Sequence, residues 1–145
     1  MAGPQSERDD RDQGRPLTGG CLCGAVRYEA DGEPYHSGYC HCVTCRRASG
    51  APVVAWFSVK LAAFRLLQGE TRTFESSEHG RRRFCVGCGT QLFFDDDDFP
   101  DEIDITNASL DEPERVPPGF HLYDKSRIAW VRFGDGLRHF HEKRT

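Results

Sequence analysis

Seven cysteines in 145 residues constrain this chain more than any other feature. Cys40, Cys42 and Cys45 fall within CHCVTCRR, which places three thiols and a histidine directly before two arginines. Cys21 and Cys23 form a C-x-C pair in GGCLCGA, and Cys85 and Cys88 form a C-x-x-C pair in CVGCGT. An odd number of cysteines is a poor basis for a disulfide framework, and the start, MAGPQSERDDRDQGRP, has no apolar signal core. Clustered thiols in a reducing compartment bind metal or carry out chemistry. The expected location is therefore cytoplasmic.

Seven divides into four and three. Gly87 and Gly89 allow the positive backbone angles of a tight knuckle, so that amides can point at the Cys85 and Cys88 sulfurs. Gly19, Gly20 and Gly24 flank Cys21 and Cys23 in the same manner. A closed four-thiolate zinc site would pin the start of the domain to its second half and add folding free energy to a small core. With 61 residues between Cys23 and Cys85, spacing alone leaves open whether the pairs share one ion or are four separate buried thiols.

Cys40, Cys42 and Cys45 are one thiolate short of a closed tetrahedral site. The fourth position is open to another residue, to water or to a substrate. His41 lies between two ligands, and its side chain should point away from a metal they share, as a polar wall behind them. A closed site would take His121, His36 or an aspartate as fourth ligand. A redox dithiol is a further alternative, without the surrounding pattern of a thioredoxin. Zinc held by three thiolates carries a net charge of about −1 and is a poor activator of water, but it suits a fourth thiolate. Binding there would ionise an incoming thiol at neutral pH and aim an electron-rich sulfur at an electrophile. Arg46 and Arg47 stand next along the chain and suit the carboxylates of such a thiol. Two consecutive arginines cannot point the same way on a helix, so one can bind substrate while the other faces solvent.

Around the cysteines the pattern is β. AVRYEA places Val26 and Tyr28 on one face, EIDITNA does the same for Ile103 and Ile105, and PVVAWFSV reads as a strand buried on both faces. VTCRRAS, after Cys42, can form a turn or two of helix. Trp56, Phe57, Phe93, Phe94 and Trp130 are expected in the core, one or two of them walling the thiol pocket. Residues 1–16 are polar and expected to be a disordered tail, with one domain over 17–145. The run RRR at 81–83 reads as a solvated strand edge, and DDDD at 95–98 as a loop without the spaced ligands of a calcium site. A net charge of −4 argues against bulk binding to nucleic acid, and no apolar run is long enough to span a membrane.

The order TGGCLCGAVRY, YCHCVTCRRASGA, FCVGCGTQLFF, DITNASLDEP and HLYDKSRIAWV resembles the glutathione-dependent formaldehyde-activating enzyme family, which includes centromere protein V. The resemblance spans residues 18 to about 140. It implies a zinc-pinned, mostly antiparallel all-β fold of two small sheets meeting like a tent, with two zinc ions per chain. The structural zinc is implied at Cys21, Cys23, Cys85 and Cys88, and the catalytic zinc at Cys40, Cys42 and Cys45. The implied reaction joins glutathione to formaldehyde and, in reverse, is that of a carbon–sulfur lyase. His121 in GFHLYD is the implied proton donor, with a hydrogen-bonded strand histidine as the alternative. Centromere protein V is the precedent for a scaffold in which both zincs are structural.

Overall fold

Apolar and polar side chains alternate along short segments, and these segments form the strands. The computed structural model describes residues 14–144, so the expected tail lies largely outside the described residues. Strands are β1 Leu17–Gly20, β2 Arg27–Ala30, β3 Tyr35–Cys40, β4 Val54–Lys60, β5 Phe64–Gln68, β6 Thr71–Glu75, β7 Gly80–Cys85, β8 Gln91–Asp96, β9 Glu102–Thr106, β10 Phe120–Leu122 and β11 Arg138–His139. The α-helix among the described residues, α1 Val43–Ser49, follows β3. β1, β2 and β5 make a three-stranded sheet, and the other strands make a second sheet in the order β11-β10-β3-β4-β9-β8-β7-β6.

The all-β class, the two sheets and the short helix after the second cysteine cluster agree with the sequence. The second sheet is larger than expected, with eight strands, and not wholly antiparallel. β10 runs parallel to β3 and to β11. The reason is the connection from β9, which passes through short helical turns at Asn107–Ser109 and Pro113–Arg115. A hairpin returns antiparallel, whereas a crossover of this length can deliver a parallel strand.

The core is built from the expected alternating positions. Val26, just ahead of β2, and Tyr28 within it meet Phe57, Val59, Leu92, Phe93, Ile103 and Ile105 from the other sheet, all fully buried. Tyr28 packs edge-on against Phe93 at 5.2 Å and shares a 2.6 Å hydrogen bond with Ser109 Oγ. In β4, Phe57, Ser58 and Val59 are buried in succession, which requires cover on both faces of the strand. Trp130 departs from the expectation. It is 71% exposed, because it sits in a turn after the last long strand rather than on a sheet face.

α1 is short and closed at both ends. The Cys42 sulfur accepts from the Cys45 N–H at 3.2 Å in place of an N-cap oxygen. Gly50 ends the helix at φ 68° and donates to the Arg46 carbonyl. Across the second sheet the basic and acidic runs face each other, with Arg81 paired to Asp97 at 2.7 Å and Arg83 to Asp95 at 2.9 Å. Arg82, on the other face of β7, is buried, which corrects the reading of RRR as uniformly solvated. Side chains alternate along a strand, so three consecutive arginines cannot all face water when one face is covered.

Candidate metal centres

The two glycine-flanked turns meet. Sulfur atoms of Cys21, Cys23, Cys85 and Cys88 all lie within 4.8 Å of one another. The Cys21–Cys23 separation is 3.5 Å and the Cys23–Cys85 separation 3.8 Å. Four sulfurs at about 2.3 Å from a tetrahedral zinc stand about 3.8 Å apart, whereas a disulfide needs about 2.05 Å. Donor type and spacing therefore fit a metal held by four cysteines. Val26 N–H donates to Cys21 Sγ at 3.2 Å and Cys88 N–H to Cys85 Sγ at 3.5 Å. Hydrogen bonds from Thr90 hold the Cys88 thiol down to about 5.

The second cluster lies where β3 runs into α1. Cys40 ends the strand, Cys42 caps the helix and Cys45 lies in its first turn, so their sulfurs also converge within 4.8 Å. Cys40 and Cys45 are buried and Cys42 is partly exposed, which gives the cluster a wet side. Hydrogen bonds from Cys40 and Cys45 hold the Cys42 thiol well below the usual range, while the Cys42 and Cys45 sulfurs push Cys40 up. Sulfurs in this contact cannot all ionise without a compensating cation. The donor set fits a soft or borderline divalent metal.

His41 turns away from the cluster. Its Nε2 lies 2.8 Å from His121 Nδ1, and His121 Nε2 lies 2.9 Å from Asp135 Oδ2. Both rings are buried, and His41 Nδ1 has no partner. Where Asp135 accepts from His121 Nε2–H and His121 Nδ1 accepts from His41 Nε2–H, the His41 Nδ1 is left as a lone pair without a donor. His139 stacks on His121 with ring centres 4.0 Å apart and planes 8° apart. Parallel rings at this distance cannot both present a nitrogen in plane to one ion. The His121, Asp135 and His139 group is a hydrogen-bonded stack.

His121 is thus brought close to the second cluster through His41. Arg46 is half-buried and Arg47 exposed, both on α1, and neither forms an ion pair among the described residues. His36 is exposed at φ 51° beside Tyr35. A groove of about 590 Å³ runs from Cys21 and Cys88 to Ala48 and Ser49 of α1, with Gln91 in its wall.

The family profile for the glutathione-dependent formaldehyde-activating enzyme matches residues 16–126, which include both cysteine clusters. The chain belongs to this family. A Halomonas elongata protein that carries the provisional name glutathione-dependent formaldehyde-activating enzyme is 26% identical over 131 residues, 79% of each chain. An uncharacterized lyase of Schizosaccharomyces pombe is 33% identical over 76 residues, 52% of this chain and 55% of that one. A crystal structure of a Rhodobacter sphaeroides protein shares the fold with a TM-score of 0.53 and 21% identity, over 85% of this chain and 99% of that one. Asp135 and His139 lie beyond the stretch that matches the glutathione-dependent formaldehyde-activating profile.

Three residues near the second cluster were not among the expected site residues, although the connection PERVPPGF reads as bringing Tyr123 back to the sheet with His121. Arg82 donates from Nη2 to Cys45 Sγ at 3.5 Å. Tyr123 takes the left-handed conformation at φ 55° directly after Leu122, whose carbonyl accepts from His41 N–H. Burial raises its hydroxyl pKa first, and the charge of Cys40 and Cys42 raises it further. Asp135 is far from any cysteine in sequence. Strand alternation in RRRF could have found Arg82, but no local pattern marks Asp135.

Proposed function

We propose that the protein is a zinc-dependent carbon–sulfur lyase of the glutathione-dependent formaldehyde-activating type, which joins a small thiol to a small carbonyl and cleaves the adduct in reverse. The observation that carries this is the second cluster. Three sulfurs converge there, and among the described residues no fourth ligand joins them, while the nearest histidines bond to each other. Zinc bound by Cys40, Cys42 and Cys45 would supply the positive charge that keeps an incoming thiol ionised at neutral pH. A second zinc at Cys21, Cys23, Cys85 and Cys88 would be structural. Family membership supports glutathione and formaldehyde as the pair.

The chain's own residues bind, orient and move protons. Arg46, half-buried and one turn from Cys42, suits a substrate carboxylate, with Arg47 more exposed behind it. The groove beside α1 is lined by Cys21 and Cys88 of the first cluster rather than by Cys40, Cys42 or Cys45, so the thiol site proposed here rests on the second cluster and not on that groove. In the forward step the thiolate sulfur forms a bond to the carbonyl carbon, the carbonyl π pair moves to oxygen, and that oxygen takes up one proton, equivalent to the one the thiol lost on ionising. The reverse removes the proton, reforms the carbonyl and breaks the carbon–sulfur bond. His121 has both nitrogens engaged, so its contribution runs through His41, whose tautomer it fixes. His121 is a positioning residue in this scheme. Free cysteines throughout suit a reducing cytoplasm, and no described helix is long and apolar enough to cross a membrane.

The test follows formation of the glutathione–formaldehyde adduct by exchange NMR. Catalysis by the wild type and its loss in Cys42→Ser are expected. A wild type no faster than the uncatalysed reaction would favour the alternative of a scaffold with both zincs structural.

A further inference from the structure

Arg82 is only 7% exposed. Its guanidinium lies 5.2 Å over the Phe94 ring and 5.9 Å from the Trp56 ring. Nη2 donates to Cys45 Sγ at 3.5 Å and Nη1 to Gln91 Oε1 at 3.3 Å, while Nε has no partner. Among the described residues no carboxylate pairs with it, although Arg81 and Arg83 on either side are both paired with aspartates. A guanidinium stays charged at any pH a folded protein survives. Burying one without a counter-charge is costly, and the group within its reach that can carry the opposite sign as a metal-bound thiolate is the Cys45 sulfur.

We propose that Arg82 is the fixed counter-charge of the three-cysteine site and that it sets the preference of that site for an anionic fourth ligand. This rests on the reading of Cys40, Cys42 and Cys45 as a zinc site. Three thiolates around a divalent ion sum to −1, and Arg82 brings the local total to zero. A fourth thiolate then raises the total to −1, where without Arg82 it would reach −2. The Phe94 and Trp56 rings, themselves 6.2 Å apart, together cover one side of the guanidinium and limit the screening of this charge by water. A neutral fourth ligand gains nothing from it. Arg82 therefore acts on selectivity, through Cys45, as a positioning residue that need not touch the substrate.

The test uses the full chain loaded with cobalt, whose absorption reports the donors at the metal, titrated separately with mercaptoethanol and with imidazole. Arg82→Met is expected to weaken mercaptoethanol relative to imidazole by about tenfold. Arg82→Lys, which keeps the charge and loses the fork, is expected to stay within about threefold of the wild-type ratio. An unchanged ratio in Arg82→Met overturns the proposal. If that variant does not load, the lysine variant decides: a wild-type ratio supports the counter-charge, and a tenfold fall overturns it. A wild type with no thiol-responsive cobalt site overturns both this proposal and the zinc reading beneath it, and the two failures are thereby told apart.

Discussion

Replacing Cys42 by serine removes one sulfur from the second cluster and also the acceptor that caps α1. The expected result is about one zinc per chain by elemental analysis against about two for the wild type, with the strand circular dichroism retained. A second residue-scale prediction concerns Asp104. Burial raises its carboxyl to about 6, partly offset by the 2.6 Å hydrogen bond from Ser58. A raised folded pKa stabilises the protein below the ordinary carboxylate range, and that contribution is lost as pH rises through about 6. Asp104→Asn should therefore raise stability by about 2 kcal/mol near pH 8 and leave it unchanged below about pH 4, as measured by urea unfolding. Cysteine is rare and chemically explicit, which is why the partition into four and three was legible from the sequence. The tie of Arg82 to Cys45 was not, because it depends on where β7 packs.

Among the elements, the strands were legible wherever one face is dry, as at Tyr28 or at Ile103 and Ile105. The path of β10 was not legible. Its parallel pairing with β3 is set by a long crossover and by close packing at Gly38, where a Cβ would fall 2.4 Å from the Phe120 ring. Gly38→Ala should therefore push β10 from β3 at a cost of about 1–3 kcal/mol in urea unfolding. It should also loosen His121, which hangs on β10 opposite Tyr39. A variant as stable as the wild type would mean that the ring moves aside freely. Asp135 could not be foreseen for a related reason. Its contact with His121 closes only after the C-terminal segment folds back over β10.

For the whole molecule, the four-cysteine cluster joins the turn after β1 to the knuckle between β7 and β8, so it ties the three-stranded sheet to the far half of the larger one. Removing metal with a strong chelator should lower the thermal midpoint markedly, and Cys85→Ser should do the same without chelator. Cys42→Ser should change the midpoint much less, since its cluster draws on adjacent residues of β3 and α1 alone. The central claim is that the second cluster is an open three-sulfur metal site that takes a thiol. Cadmium NMR of the substituted protein tests it most directly. Two signals are predicted, one in the four-sulfur range that ignores glutathione and one outside it that moves into that range as glutathione is added. Two signals already in the four-sulfur range, or a second signal indifferent to glutathione, would contradict it.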